Sequence, residues 1–342
     1  MNNNKIISSY SFASISDVIF TGLFMKSQVA DLKLRNNIQQ YFGPSEYIFV
    51  RQKEFTLREN DVIFCKTEHI FELFYLLNKF CNFENIKLIT HQSDMNIDNR
   101  IYKLKPKCIS KWYSINVNTQ NEDLIPIPIG IANFHSKNLS QDMFDKNNFS
   151  EEIFSNDKKL LYLNFNQNTN FNHRKGLFKL FNSTPNTTVR IENIGNKNYF
   201  RELQDHSFTL APWGNGIDTH RFWEALYSGS IPITKNHVNF KSFKSFPYIL
   251  VDDYKMINHQ FLNNELNKIN KNKKNFNFDE LDIKYWENKI RGSDNNKLNG
   301  SIYIFHDKFE YFKKKERLKY LIKVKFKKFN RYRRAFYKIF KI

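Results

Sequence analysis

The sequence has no run of 18 apolar residues, which excludes a conventional membrane-spanning helix. Its first residues, MNNNKIISSYSFASIS, have neither an adjoining apolar core nor a small-residue cleavage pattern, so no secretory signal is expected and a cytoplasmic protein is. Cysteine is scarce. Cys65, Cys81 and Cys108 are odd in number and contain no Cys-x-x-Cys pair, which points to reduced thiols and away from a structural zinc site. Aromatic residues are plentiful, at 16% of the chain with 35 Phe and 17 Tyr, so wholesale disorder is excluded.

The excess of positive charge, +19 in all, is unevenly placed. Tyr311 to Ile342 holds 10 Lys and 4 Arg against the single Glu316, a net +13, and the preceding 310 residues share an ordinary +6. Basicity is therefore a property of the tail. Apolar residues at 318, 321, 322, 326, 329, 336, 339 and 340 suit one or two basic amphipathic helices. An anionic membrane surface, a nucleic acid and packing against the rest of the chain all fit such a tail.

A length of 342 residues suggests two domains of about 150 residues each. In the first, Asp17-Val18-Ile19-Phe20 reads as a strand closed by Thr21-Gly22, with further strands at Tyr47–Val50, Asp61–Phe64 and Lys87–Thr90. Apolar residues at 70, 71, 73, 74, 76, 77 and 80 predict a helix over 68–80. Such alternation predicts a parallel sheet with right-handed crossovers. His91 and Asp94 follow a strand end, where catalytic groups collect in these sheets, and either can accept a proton near neutral pH. Glu68 and His69 open a helix, where an acid is already explained by the dipole. The Pro-Ile alternation of 124–133 suits an extended, edge-like or interdomain segment, and polar residues 135–157 read as a linker with a short helix.

The second domain alternates strand and helix from Lys159 to Lys274, the order a nucleotide-binding half-domain requires. His173-Arg174-Lys175 is expected to open a helix over 176–181, where cations conflict with the dipole unless an anion sits there too. The centre of the chain is 208–235, FTLAPWGNGIDTHRFWEALYSGSIPITK. FTLAP reads as a strand ending at Pro212, and Gly214, Asn215 and Gly216 as a loop with exposed amides. Asp218 or Thr219 is expected to cap the helix that follows, and Gly229 to end it in a left-handed conformation before a strand at 231–233. A loop and helix start of this kind suit a phosphate. Arg221 and Glu224, three apart, share one face near that end.

Asp218-Thr219-His220-Arg221, Trp223-Glu224-Ala225-Leu226 and Gly229-Ser230-Ile231-Pro232-Ile233 together resemble the donor-binding signature of exostosin-like glycosyltransferases, specifically over about 26 residues. The resemblance implies the GT-B fold class: α/β, with two Rossmann-like domains facing across a cleft, here followed by the basic helical tail. The acceptor domain would span 1–150, the donor domain 158–300 and the tail 301–342. It further implies transfer of a sugar from a nucleotide diphosphate sugar to a hydroxyl of a glycan or lipid-linked acceptor, with inversion. Glu224 would bind the ribose, and Arg174 with the 214–219 loop the diphosphate, with Arg221 on Glu224 or a phosphate. His91 or Asp94 would act as base. The chain has no Asp-x-Asp, the metal-holding motif of the GT-A architecture, so no metal and no cofactor beyond the co-substrate is expected. The rival expectations are a nucleic-acid- or membrane-binding protein acting through its tail, and a nucleotide-sugar-binding protein without catalysis.

Overall fold

The computed structural model describes residues 6–29, 32, 38–42, 47–132, 153–155, 157–292, 300–315 and 318. The chain is α/β. A seven-stranded sheet forms in the first half from β1 (Val18–Met25), β2 (Ile38–Phe42), β3 (Tyr47–Gln52), β5 (Val62–Lys66), β6 (Ile86–His91), β7 (Ile109–Ser114) and β8 (Leu124–Pro126), in the order β2-β3-β1-β5-β6-β7-β8. From β1 to β8 the strands are parallel, and β3 and β2 add an antiparallel edge. β1 does not stop at Thr21-Gly22. It continues to Met25 because Thr21–Met25 pairs with Tyr47–Arg51 of β3, and Gly22 leaves room for the Phe24 ring, which would lie 2.4 Å from a Cβ there.

Every residue of β6 is buried, as expected of a strand covered on both faces. The period of two sorts its neighbours. Ile19, Phe64, Ile89 and Tyr113 face the larger core, which is continuous with the second half; Val18, Ile63, Leu88 and Trp112 face a smaller one. α1 (Ser9–Ser14) packs into the larger core, and α2 (Ile70–Phe80) covers the smaller one together with β4 (Glu54–Arg58) and β14 (Ser301–Phe305), which pair antiparallel. The 301–342 stretch therefore does not begin as a helical tail. Residues 301–305 are a strand of the first half, since Phe55, Leu57 and Ile304 need one another to be buried. Residues 309–315 are helical, and 316–317 and 319–342 lie outside the described residues, as do 135–152 and 156 of the expected linker. Among the described residues no helix is long and apolar enough to cross a membrane.

The second half holds a five-stranded sheet, parallel throughout, of β9 (Lys159–Asn164), β10 (Thr187–Arg190), β11 (His206–Leu210), β12 (Ile231–Lys235) and β13 (Ile249–Val251), in the order β10-β9-β11-β12-β13. Its helices are α3 (Phe171–Arg174), α4 (Leu177–Phe181), α5 (Asn196–Gln204), α6 (His220–Tyr227), α7 (His259–Lys271) and α8 (Ile283–Arg291). Gly229 ends α6 as expected, with φ +74°, the Ser230 amide donating to Ala225 O and the Gly229 amide to Leu226 O. α8 returns to the first half, where its Arg291 donates to Ile15 O at 2.6 Å and pairs with Asp17 at 3.3 Å.

Two features of the fold carry predictions. Gly130 sits at φ +67°, and a Cβ there would lie 2.2 Å from Ile7 O, so Gly130→Ala is expected to cost at least about 1–3 kcal/mol in urea unfolding. The second is Glu72 on α2, buried with Arg51 and His306. Its carboxylate accepts from Arg51 Nη2 at 2.6 Å and from His306 Nε2 at 2.6 Å. Burial alone would raise its pKa, but the hydrogen bonds from His306 and His69 and the charge of Arg51 outweigh it and bring the carboxyl down to about 2. A carboxyl held below its ordinary 4.5 stabilises the fold above that pH and loses this contribution as the pH falls toward 2. The urea midpoint is expected to drop through that window, and Glu72→Gln to flatten that part of the pH dependence while lowering stability at pH 7.

Candidate functional site

In sequence order within its own half, the parallel sheet runs 2-1-3-4-5, so the chain reverses direction across the sheet between β9 and β11. Ligands of open α/β sheets bind outside the carboxyl ends of the strands at this point. The loops that leave β9 and β11 there are 165–170 and 211–219.

Arg174 holds these two loops together. Its Nε donates to Trp213 O at 2.8 Å, Nη1 to Asn166 O at 2.9 Å and Nη2 to Pro212 O at 3.0 Å. It does not open the next helix, as the sequence suggests. Arg174 closes the single turn α3, and Gly176, at φ +79°, starts α4 afresh. Asn170 Nδ2 adds a bond to Gly214 O at 2.6 Å. Gly214 faces Arg174 and Thr219, and a Cβ on it would lie 3.4 Å from Arg174 Nη2 and 3.6 Å from Thr219 Cγ2. Asn215 is exposed beside it.

Arg221, on the first turn of α6, converges on the same place. The guanidinium carbons of Arg174 and Arg221 lie 5.5 and 6.0 Å from the centroid of the Phe165 ring. Among the described residues neither guanidinium pairs with a carboxylate, and Arg221 Nε is buried without a hydrogen-bond partner. Burial, with the repulsion of Arg221, brings the Arg174 pKa down to about 10. Glu224, one turn along, is buried at 4% exposure and does not bond to Arg221; its Oε2 accepts from Tyr199 OH at 2.9 Å.

The remaining loop residues serve the contact between the halves. Asp218 does not cap α6. Thr219 is the N-cap residue, without a side-chain cap bond, and the Asp218 carboxylate accepts the Ile129 amide at Oδ2 and the Trp223 indole at Oδ1, both at 2.8 Å. The Asp218 amide donates to Asn116 Oδ1 at 2.8 Å, and a Cβ on Gly216 would lie 2.8 Å from that same amide group, so Gly216 is needed for the approach of Asn116. Burial pushes the Asp218 carboxyl up to about 7, against the N–H groups of Ile129, Trp223 and Thr219, which act to lower it.

Beside this contact lies a cleft of about 390 Å³ at the carboxyl ends of β5 and β6. Lys66, Glu68, Gln92, Asp94, Tyr47 and His220 are among its lining residues. His91 also borders it but is not suited to the role of base. It is 1% exposed, Nδ1 accepts the Gln92 amide at 2.8 Å, and Nε2 donates to Pro128 O at 3.3 Å. Burial, helped by nearby His220, lowers its pKa to about 3, so the ring is neutral and its lone pair engaged. Asp94 is exposed at the rim and Glu68 pairs with Lys66.

His220 was not singled out from the sequence, although it stands inside the motif. Its Nδ1 lies 2.7 Å from Gly130 O, and a carbonyl only accepts, so Nδ1 carries the proton and Nε2 the lone pair. Asn116 was likewise missed: the left-handed φ of 55° that aims it follows a strand that the residue pattern did not reveal. The structure thus gathers Arg174, Gly214, Asn215, Thr219, Arg221 and Glu224 around the switch between β9 and β11. It assigns Gly216 and Asp218 to the contact between halves, and places His91 and Asp94 on the neighbouring cleft.

Compared with known protein-family models and with curated proteins, the chain matches none. The Asp218 contact is open to a direct test. Asn at this position accepts through one atom only and sets its amide against either Ile129 N–H or Trp223 Nε1–H. Asp218→Asn is therefore expected to cost about 1–3 kcal/mol in urea unfolding at pH 7. Because the folded-state pKa is raised, wild-type stability should fall as pH rises from the ordinary 3.8 toward 7, and the variant should lack that slope.

Proposed function

We propose that the protein is a glycosyltransferase of GT-B architecture that moves a sugar from a nucleotide diphosphate sugar to a hydroxyl of a glycan or lipid-linked acceptor. The observation that carries this reading is the pair Arg174 and Arg221. Two guanidiniums converge on one aromatic ring without a carboxylate among the described residues, at the loops where an α/β sheet receives a ligand. An arrangement of like charges with an unsatisfied N–H is one that an anion completes. A diphosphate fits: it is doubly anionic, it matches the planar fork of arginine, and it gains negative charge as the glycosidic bond to it breaks.

In this reading the first turn of α6 and the 214–219 loop border the diphosphate, and Gly214 lets it approach Arg174. Glu224 takes the ribose hydroxyls. Since Glu224 is buried and bonded to Tyr199, that contact requires the Tyr199 ring to move aside. Charge on the leaving group is met by fixed arginines, the strategy that suits a site whose chain has no Asp-x-Asp. The seven-stranded sheet would present the acceptor from its own carboxyl end, across the contact made by Asp218. Transfer with inversion follows from one displacement, with acceptor and leaving group on opposite faces of the sugar.

Calorimetric titration with UDP and GDP tests the reading. The wild type is expected to bind at least one of them. Arg221→Ala should weaken that binding roughly 10–100-fold, the loss of a charge-assisted hydrogen bond. Its melting temperature without ligand should stay within a few degrees of wild type, since Arg221 makes no hydrogen bond among the described residues. No affinity for either nucleotide in the wild type, or wild-type affinity in Arg221→Ala, would overturn the proposal.

A further inference from the structure

We infer that His220 is the general base of the transfer and that the cleft lined by Lys66, Glu68, Gln92, Asp94 and Tyr47 is the acceptor subsite, taking a sugar hydroxyl. This rests on the glycosyl-transfer reading above. Four observations lead to it. His220 and Arg221 are consecutive on the first turn of α6, and side chains one residue apart on a helix diverge by about 100°, so one turn addresses two places. Arg221 reaches the Phe165 ring on the donor side, and His220 reaches the cleft. The imidazole is fixed in one tautomer by the Gly130 carbonyl at 2.7 Å, the orienting third group that an activating base requires. Its Nε2 has no hydrogen-bond partner among the described residues.

The other ionisable groups of the cleft are worse placed. His91 is buried and both its nitrogens are engaged. Glu68 is paired with Lys66. Asp94 is exposed and has no hydrogen bond among the described residues to aim it. Tyr47, on β3, is a weak base in its neutral form. The lining suits a sugar: Tyr47, Leu23 and Ile129 offer apolar faces, and Glu68 and Asp94 offer carboxylates to hydroxyls.

The acceptor hydroxyl gives its proton to the lone pair on His220 Nε2, and the acceptor oxygen forms the new bond to the anomeric carbon. The bond from that carbon to the β-phosphate oxygen breaks, and its electron pair leaves with the nucleoside diphosphate beside Arg174 and Arg221. The products are the glycoside, the nucleoside diphosphate and an imidazolium that returns its proton to solvent.

The test compares wild type, His220→Asn and His220→Ala. Nucleotide release is followed from a panel of UDP- and GDP-sugars with a mixture of mono- and oligosaccharide acceptors, and UDP and GDP affinity is measured alongside. Asn places its amide where imidazole Nδ1 stood, so it retains the donor to Gly130 O and removes the base. His220→Asn is expected to keep nucleotide affinity within about twofold and to lose about 10²–10⁴-fold in kcat, together with the limb of the pH–rate profile that falls at low pH. Added imidazole should restore part of the rate in His220→Ala. If His220→Asn is active and only His220→Ala is not, the histidine is merely structural and the inference fails while the donor site stands. If the wild type binds no nucleotide and releases none, the glycosyl-transfer reading fails and this inference with it.

Discussion

The buried carboxylate of Asp218 is the constraint on which the site depends. It accepts one N–H from the segment leaving β8 and one from Trp223 of α6, so the exit of the first sheet and the start of the central helix are held by one group. Its own amide is held by Asn116, which follows β7. Three segments distant in sequence are thus fixed at the last residues before His220 and Arg221. Leaving any of these groups unpaired in a buried place costs as much as a hydrogen bond returns, so the contact has a single satisfied arrangement.

Around that fixed point the charges are distributed unequally. On the first-half side, Glu72 is surrounded by Arg51 and His306 and by His69, and Glu68 has Lys66: cations there have anions. At the switch between β9 and β11, Arg174 is satisfied by main-chain carbonyls alone, and Arg221 stacks near Phe165 and Tyr199. Carbonyl oxygens satisfy the donors of a guanidinium without cancelling its charge. The field at the loops therefore stays positive in a partly desolvated place, where each charge is screened less than in water.

Much of the second half was legible because its signals are local. Gly229 needs a left-handed φ, Pro232 and its isoleucine neighbours resume the sheet, and the 3.6-residue period of Phe222, Ala225 and Leu226 fixes the buried face of α6. The rest depends on partners far along the chain. Nothing within SIYIF shows that it pairs with EFTLR of β4, and Ser110 and Lys111 break the apolar pattern of β7. His91 and His220 illustrate the same limit in the site. Both were present in the sequence beside plausible signals, but which one keeps a lone pair is decided by the Gln92 amide and the Pro128 and Gly130 carbonyls. The local signal at Arg174 misled in one respect: the helix it was expected to open begins after it, at Gly176.

The pairing of β14 with β4 has a consequence for how the chain assembles. During synthesis β4 emerges early, and Phe55 and Leu57 have no cover on that side until Ile304 leaves the ribosome. The first half cannot finish before the second has been made, so its folding cannot be completed domain by domain in the usual N-to-C order. Until then β4 offers a bare strand edge and a greasy flank to whatever is nearby.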